Sequence, residues 1–242
     1  MSPITPEGVG LAIAAYRLTP TAAKIFLRIV GPLADGIGHS IVPGFLIDRR
    51  RKLAERAIAG LQAARAEPVE VPPKILLPLL EHGGLEEDEM LAEKWAALLA
   101  NAANGQTPGK VRPIYIQILS SLTPLDARVL EAIAAIGYNR PFRRLTPQLS
   151  QLTLIHERLN DPSLPQTEVE QGVDTLISFG LVERLPLDDD DGSSFADKNK
   201  KIQRFIARSG RPRTLDVHIT VLGEKFLLAC TMPEPPSDEV PA

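Results

Sequence analysis

A single cysteine, Cys230, stands in the whole chain. That excludes an internal disulfide and a multi-thiolate metal site. It suits a reducing cytoplasm. Aromatic residues make up only 5% of the sequence, with one tryptophan. The core must therefore be built from Leu, Ile, Val and Ala, a composition that favours helices. The four histidines, His39, His82, His156 and His218, lie far apart, and none falls in an HExxH or comparable metal spacing. The net charge of −3 predicts neither a nucleic-acid binder nor a polyanion mimic. No glycine loop ending in Lys-Ser/Thr follows a strand, and no nucleophile elbow frames a serine. No enzyme activity, cofactor, metal site or small-molecule substrate is expected from such a sequence. The opening Met1–Pro6 lacks a basic n-region, so no secretory signal is expected.

What is present starts with an unusual first segment. From Leu11 to Ile47 the chain is apolar but interrupted by Arg17, Lys24, Arg28, Asp35 and His39. Glycine recurs at Gly31, Gly36, Gly38 and Gly44. No window reaches the roughly 18 clean apolar residues of a spanning helix. Two readings stand: helices broken by glycine and proline turns, or a segment that lies on a bilayer or self-associates after a trigger. Asp48-Arg49-Arg50-Arg51-Lys52 then opens a long helix with Leu53, Ala57, Ile58 and Leu61 on one face. Arg49, Arg50, Arg51 and Lys52 either form a solvated face or meet anionic headgroups.

Glu67–Pro73 is proline-rich and reads as a linker, with a domain boundary there. A short apolar helix follows from Lys74 and is expected to stop at Gly83-Gly84. The clearest helix is Leu85–Ala103. Glu86, Glu87, Asp88 and Glu89 are expected in its first turn, where each carboxylate gains about 0.3–1 kcal/mol at best from the helix dipole. Consecutive carboxylates on a helix diverge, so this run is read as a helix start and not a metal site. Leu91, Trp95, Leu98 and Ala102 make its packing stripe. Ile114, Ile118 and Leu122 share a face in the next helix. Thr123-Pro124-Leu125-Asp126 starts another, with Thr123 as cap, Pro124 in the first position and Asp126 reaching back to the cap backbone.

The segment Leu85–Ala103, followed by Ser121–Ala127, resembles the Abi-alpha (abortive infection alpha) family of bacterial proteins. In that family an acidic turn precedes a Trp-containing helix ending in a Leu-Leu-Ala-Asn-Ala type run, here Leu98-Leu99-Ala100-Asn101-Ala102. A Leu-Ser/Thr-Pro-Leu-Asp-Ala motif follows, here Leu122–Ala127. The glycine-rich Gly31–Gly44 stretch and the Ile219-Thr220-Val221-Leu222-Gly223 run are also similar to the family. The similarity is dense over residues 72–137 and loose elsewhere. The resemblance implies a link to phage defence by abortive infection. It brings no reaction, cofactor or catalytic residue, so no site is carried over.

Beyond Thr146-Pro147, a cap-plus-proline start, His156 lies on an apolar helical face with Leu149, Leu152 and Leu159. It reads as a half-buried histidine and not a ligand. Thr167-Glu168-Val169-Glu170 reads as a capping box for a helix ending at Gly180. Leu181–Leu185 and Leu215–Ile219 alternate as paired strands, and Thr220 caps a last helix carrying Cys230. This is the element order of a winged helix. Its recognition-like helix carries Glu168, Glu170 and Asp174 and no Lys or Arg, which disfavours the major groove. The insertion between the strands is basic after Asp188–Asp191. Lys198, Lys200, Lys201, Arg204, Arg208, Arg211 and Arg213 form a candidate contact for nucleic acid or a protein partner.

The expected architecture is mainly α. A Gly-rich apolar and basic segment (1–66) joins a central helical domain (72–137) and a winged-helix-like module with a small two-stranded β-wing (123–231). The module shares helix 123–137, and a disordered tail (232–242) follows. The expected function is a non-enzymatic phage-defence component, cytoplasmic or peripheral at the inner membrane. It would act through a protein partner, self-association or a membrane surface. The alternative is a winged-helix DNA-binding regulator contacting DNA through the basic wing.

Overall fold

The computed structural model describes residues 20–30, 44–107, 109–138, 151–186 and 215–235. Among them are nine α-helices and one two-stranded antiparallel sheet, so the mainly helical expectation holds. The chain divides into two compact units: Met1–Pro124 with Phe226–Ala242, and Leu125–Lys225.

The first unit opens with α1 (Pro20–Val30) and α2 (Gly44–Ala63). Phe26 and Ile29 of α1 are buried. On α2, Leu53, Ala54, Ala57, Ile58 and Leu61 are buried, three and four apart, as an amphipathic helix requires. The end of α2 is a Schellman turn. Ala66 N–H donates to Leu61 O (2.9 Å) and Arg65 N–H to Gln62 O (3.0 Å). Arg65 there takes a left-handed φ of 51°, a position glycine usually fills.

The proline-rich stretch after Arg65, read from sequence as a boundary, lies inside the first unit and is pinned on both sides. Val69 N–H donates to Ala103 O (2.8 Å), Gly105 N–H to Glu67 O (3.0 Å) and Val71 N–H to Ile29 O (3.1 Å). Arg28 pairs with Glu67 at 3.0 Å. Because Pro68 and Pro72 lie outside any helix, this extended crossing satisfies its backbone against neighbouring elements instead.

α3 (Pro73–Leu85) starts on a proline in the first turn and keeps Pro78 inside it. It runs through Gly83-Gly84, where the sequence predicted a stop. Both glycines sit at close approaches: a Cβ on Gly83 would lie 2.9 Å from Leu53 Cδ2, and one on Gly84 would lie 2.7 Å from Arg50 Cγ. Here glycine serves packing and does not end the helix.

α4 (Glu89–Ala102) is the hub of this unit. Residues Lys94 to Asn101 are all buried, so it is enclosed on nearly every side. α5 (Pro113–Ser121) buries Tyr115, Ile116, Ile118 and Leu119, whereas Ile114, which shares a face with Ile118 by spacing, is 38% exposed. Tyr115 meets Phe226 edge to face, ring centroids 5.9 Å apart.

The second unit holds α6 (Pro124–Tyr138), α7 (Gln151–Leu159), α8 (Gln166–Ser178), β1 (Val182–Pro186), β2 (Leu215–Ile219) and the start of α9 (Val221–Ala229). Val129, Leu130, Val173 and Leu176 are core residues. Gly172 lets α8 approach α6, since a Cβ there would touch Val129 at 3.3 Å. Arg128 donates to the carbonyl of Leu159, the last residue of α7, at 2.8 Å.

The predicted capping box at Thr167 is not formed. α8 starts two residues earlier, on a Pro165 cap with no side-chain bond, which places Thr167 inside the helix. The predicted C-terminus is formed. Gly180 has φ +69°, Gly180 N–H donates to Ile177 O (2.9 Å), and Leu181 N–H donates to Leu176 O (3.0 Å). β1 pairs with β2 in the register Val182–Ile219 through Pro186–Leu215. Thr220 caps α9 by accepting from Gly223 N–H at 3.1 Å, and its own hydroxyl donates to Gly180 O at 2.6 Å. A Cβ on Gly223 would fall 2.2 Å from Leu181 O. The Ile219–Gly223 run is therefore a local device: the threonine caps the helix, and the glycine lets that helix touch the loop entering β1.

Candidate functional site

The acidic run does not fill one helical turn. Glu86, Glu87 and Asp88 precede α4, and only Glu89 lies in its first turn. Asp88 is the N-cap, accepting from Leu91 N–H at 3.0 Å. The Glu86 carboxylate accepts from the N–H groups of Glu87 and Asp88, both at 3.0 Å. Glu86 itself is extended, at the C-cap of α3, and Glu87 and Glu89 reach across.

They reach the basic cluster of α2. Arg49 donates to Glu87 at 2.9 Å and to the carbonyl of Leu85 at 3.3 Å. Arg56 pairs with Glu89. Arg51 stays within its own helix, pairing with Glu55 at 2.7 Å and lying 3.7 Å from Asp48. Arg50 lays its stem over Gly84. Lys52 is exposed. Sequence reasoning treated the acids as a helix start and the cations as a solvated or headgroup-facing cluster. It missed that the two runs close on each other. Their signal was a short block of each sign, but which blocks meet is a tertiary fact.

Between them lies a cleft of about 220 Å³. Arg49, Lys52 and Arg56 line one wall, and Glu86, Glu87 and Glu89 the other. Leu53, Gly83 and Ala92 complete the lining. The Glu87 and Glu89 side chains are 81% and 73% exposed, so these ion pairs contribute about 0–1 kcal/mol each.

Behind the cleft is the signature helix. Trp95 is buried and stacks on His82 with centroids 6.0 Å apart and planes 16° off parallel. Its indole nitrogen is buried and has no hydrogen-bond partner. Asn101 donates from its amide to the carbonyls of Ala229 (2.9 Å) and Thr231 (2.7 Å) and accepts from Lys110 at 3.2 Å. The asparagine of the Leu-Leu-Ala-Asn-Ala run is thus a structural clasp on the end of α9.

The wing cations Lys198, Lys200, Lys201, Arg204, Arg208, Arg211 and Arg213 lie outside the described residues, as do Gly31, Gly36 and Gly38. Gly44 is the first residue of α2. The acidic face of α8 is partly answered by Arg184 of β1, which pairs with Asp174. His156 is half-buried and its Nδ1 has no hydrogen-bond partner. Cys230 is a buried free thiol. Asp161 is held below the usual carboxylate range, first by the Ser163 hydroxyl and next by the Ser163 backbone N–H. Among the described residues no group of three or more His, Cys, Asp or Glu is placed to hold a metal ion. No described helix is long and apolar enough to cross a membrane.

No curated protein and no solved structure matches this chain. One family model does, described as abortive infection alpha, over residues 45–230. That span takes in the charged cleft, the tryptophan helix with its asparagine clasp, and the threonine-capped α9. With well over half its length matched, the chain belongs to the abortive infection alpha family.

Proposed function

We propose that this protein is a non-enzymatic component of bacterial phage defence by abortive infection, acting through protein contacts. The family match over residues 45–230 carries this reading. The reading places the protein in the cytoplasm. Membrane contact is a conditional second step of this reading. Phe26 and Ile29 are buried, and Arg49 and Arg56 are engaged by carboxylates. A lipid surface would therefore gain access to these groups only after α1 leaves its seat and the pairs open.

The second unit is read as a winged-helix-like module, on the order three helices, two antiparallel strands, helix. With Glu168, Glu170 and Asp174 on α8, such a module suits a protein partner better than a phosphate backbone.

The defence role is tested by phage challenge of cells with and without the gene. Early death of infected cells that carry it, with fewer phage released, is expected. Unchanged lysis timing and yield across a phage panel would remove the role. Liposome flotation and dye release test the membrane step separately.

A further inference from the structure

The cleft between α2 and the α3–α4 corner has a charge pattern that selects its occupant. Three cations, Arg49, Lys52 and Arg56, face three acids, Glu86, Glu87 and Glu89. A free anion entering would meet three carboxylates, and a free cation would meet three cations. A partner carrying both signs in matched positions meets neither penalty. One surface that supplies this match is the same surface turned through a two-fold axis. In an isologous contact every pairing occurs twice, so an axis along the cleft would set Arg49 of each copy opposite Glu87 of the other.

The cleft also has an apolar component. Leu53, Gly83 and Ala92 contribute to its lining. Gly83 keeps the floor of the cleft close-packed, since a Cβ there would lie 2.9 Å from Leu53 Cδ2 and 3.1 Å from Trp95 Cβ. The volume, about 220 Å³, exceeds the roughly 150 Å³ that holds a benzene ring in an apolar cavity. Leu85 sits in the chain between Gly83 and Glu86, two of the lining residues, and is 54% exposed. One exposed leucine needs no explanation by itself. A leucine bordering an open cleft with its own charge complement is a different matter, since apolar anchors ringed by polar pairs are how interfaces concentrate their energy.

We propose that this cleft is a self-association surface. Two copies of the chain meet about a two-fold axis, and Leu85 of each enters the cleft of the other against Leu53, Gly83 and Ala92. The Arg49–Glu87 and Arg56–Glu89 pairs then form across the contact. The pairs within one copy are exposed and cost little to exchange, and closing the contact removes the water that weakens them. This inference goes beyond the defence role and does not depend on it.

The test is the mass of the full-length chain in solution, measured by sedimentation or light scattering from about 1 to 100 µM. A dimer is expected, weakened by added salt. Leu85→Asp should raise its dissociation constant about tenfold or more. Arg49→Glu and Glu87→Arg should each be monomeric, because each sets like charges opposite one another across the axis. Mixing the two variants should restore a dimer containing one of each, since opposite charges then face across both contacts. Pairs that matter only within one chain could not be repaired by mixing. Circular dichroism and melting of each variant confirm the fold, and Leu85→Asp gives a second route if a charge reversal disturbs it. The proposal is overturned by a chain that stays monomeric at every concentration. It is equally overturned by a dimer indifferent to Leu85→Asp, by failure of the mixed pair, or by a monomer whose cleft instead takes inorganic phosphate.

Discussion

The side-chain amide of Asn101 donates to the carbonyl of Thr231 at 2.7 Å, joining positions 130 residues apart in the chain. The same amide donates to Ala229 O, the last residue of α9, so one buried side chain satisfies the helix's last carbonyl and another two residues beyond it. Replacing Asn101 with Ala would strand those carbonyls and the Lys110 ammonium that donates to Asn101. Asn101→Ala should cost about 2–3 kcal/mol, seen as a lower urea midpoint with an unchanged slope. Hydrogen exchange should rise at residues 226–232 before it rises in α4.

Two glycines should respond oppositely to alanine. At Gly223 the added methyl would press on a backbone carbonyl 2.2 Å away, which no rotamer change relieves. Gly223→Ala should lose about 2–3 kcal/mol. At Gly60 the obstacle is the Met232 sulfur at 2.7 Å, near the end of a flexible side chain. Gly60 lies inside α2, so alanine should add helix propensity worth up to about 1 kcal/mol. Thermal melting of the two variants side by side checks both signs.

Arg65 holds a left-handed φ of 51° at the end of α2, where a β-carbon is strained. Arg65→Gly should therefore stabilise the protein by about 0.5–1 kcal/mol, despite glycine's greater freedom when unfolded. A melting temperature below that of the parent would contradict the reading of that turn.

Asp161 accepts from the Ser163 hydroxyl at 2.7 Å and from the Ser163 N–H at 3.2 Å, and these bonds lower its pKa. Arg128 and His156 add smaller lowering effects, while desolvation opposes them. A carboxyl whose pKa is depressed on folding stabilises the fold above its unfolded pKa, and that contribution is lost as pH falls through the folded value. In an NMR titration the Asp161 carboxyl should turn over below 3.8, its ordinary value. Ser163→Ala should move it upward, toward 3.8.

Local chemistry was legible in the sequence. Gly180 as a helix terminator, Thr220 as a cap and the strand Leu215–Ile219 all follow from residues within one turn of each other, and all are present. Where the outcome depended on distant neighbours, local rules misled. Gly83-Gly84 reads as a stop, yet the helix continues through both, and Leu53 and Arg50 pack against them. Thr167 reads as a cap, yet α8 starts from Pro165. The charged cleft was legible only as two separate runs. Nothing within either run says that Arg49 will find Glu87, because α3 folds back between them. Asn101 likewise sits in a motif that was easy to see, but its partners lie on the last helix.

The most direct test of the account is infection of cells carrying the intact gene, the Asn101→Ala variant or no gene, scored for time of death and phage yield in one culture series. The account predicts early death and low yield with the intact gene. It predicts protection that falls in the Asn101→Ala cells in proportion to the folded protein remaining. Identical death times and yields in all three cultures, with the intact protein present and folded, would contradict it.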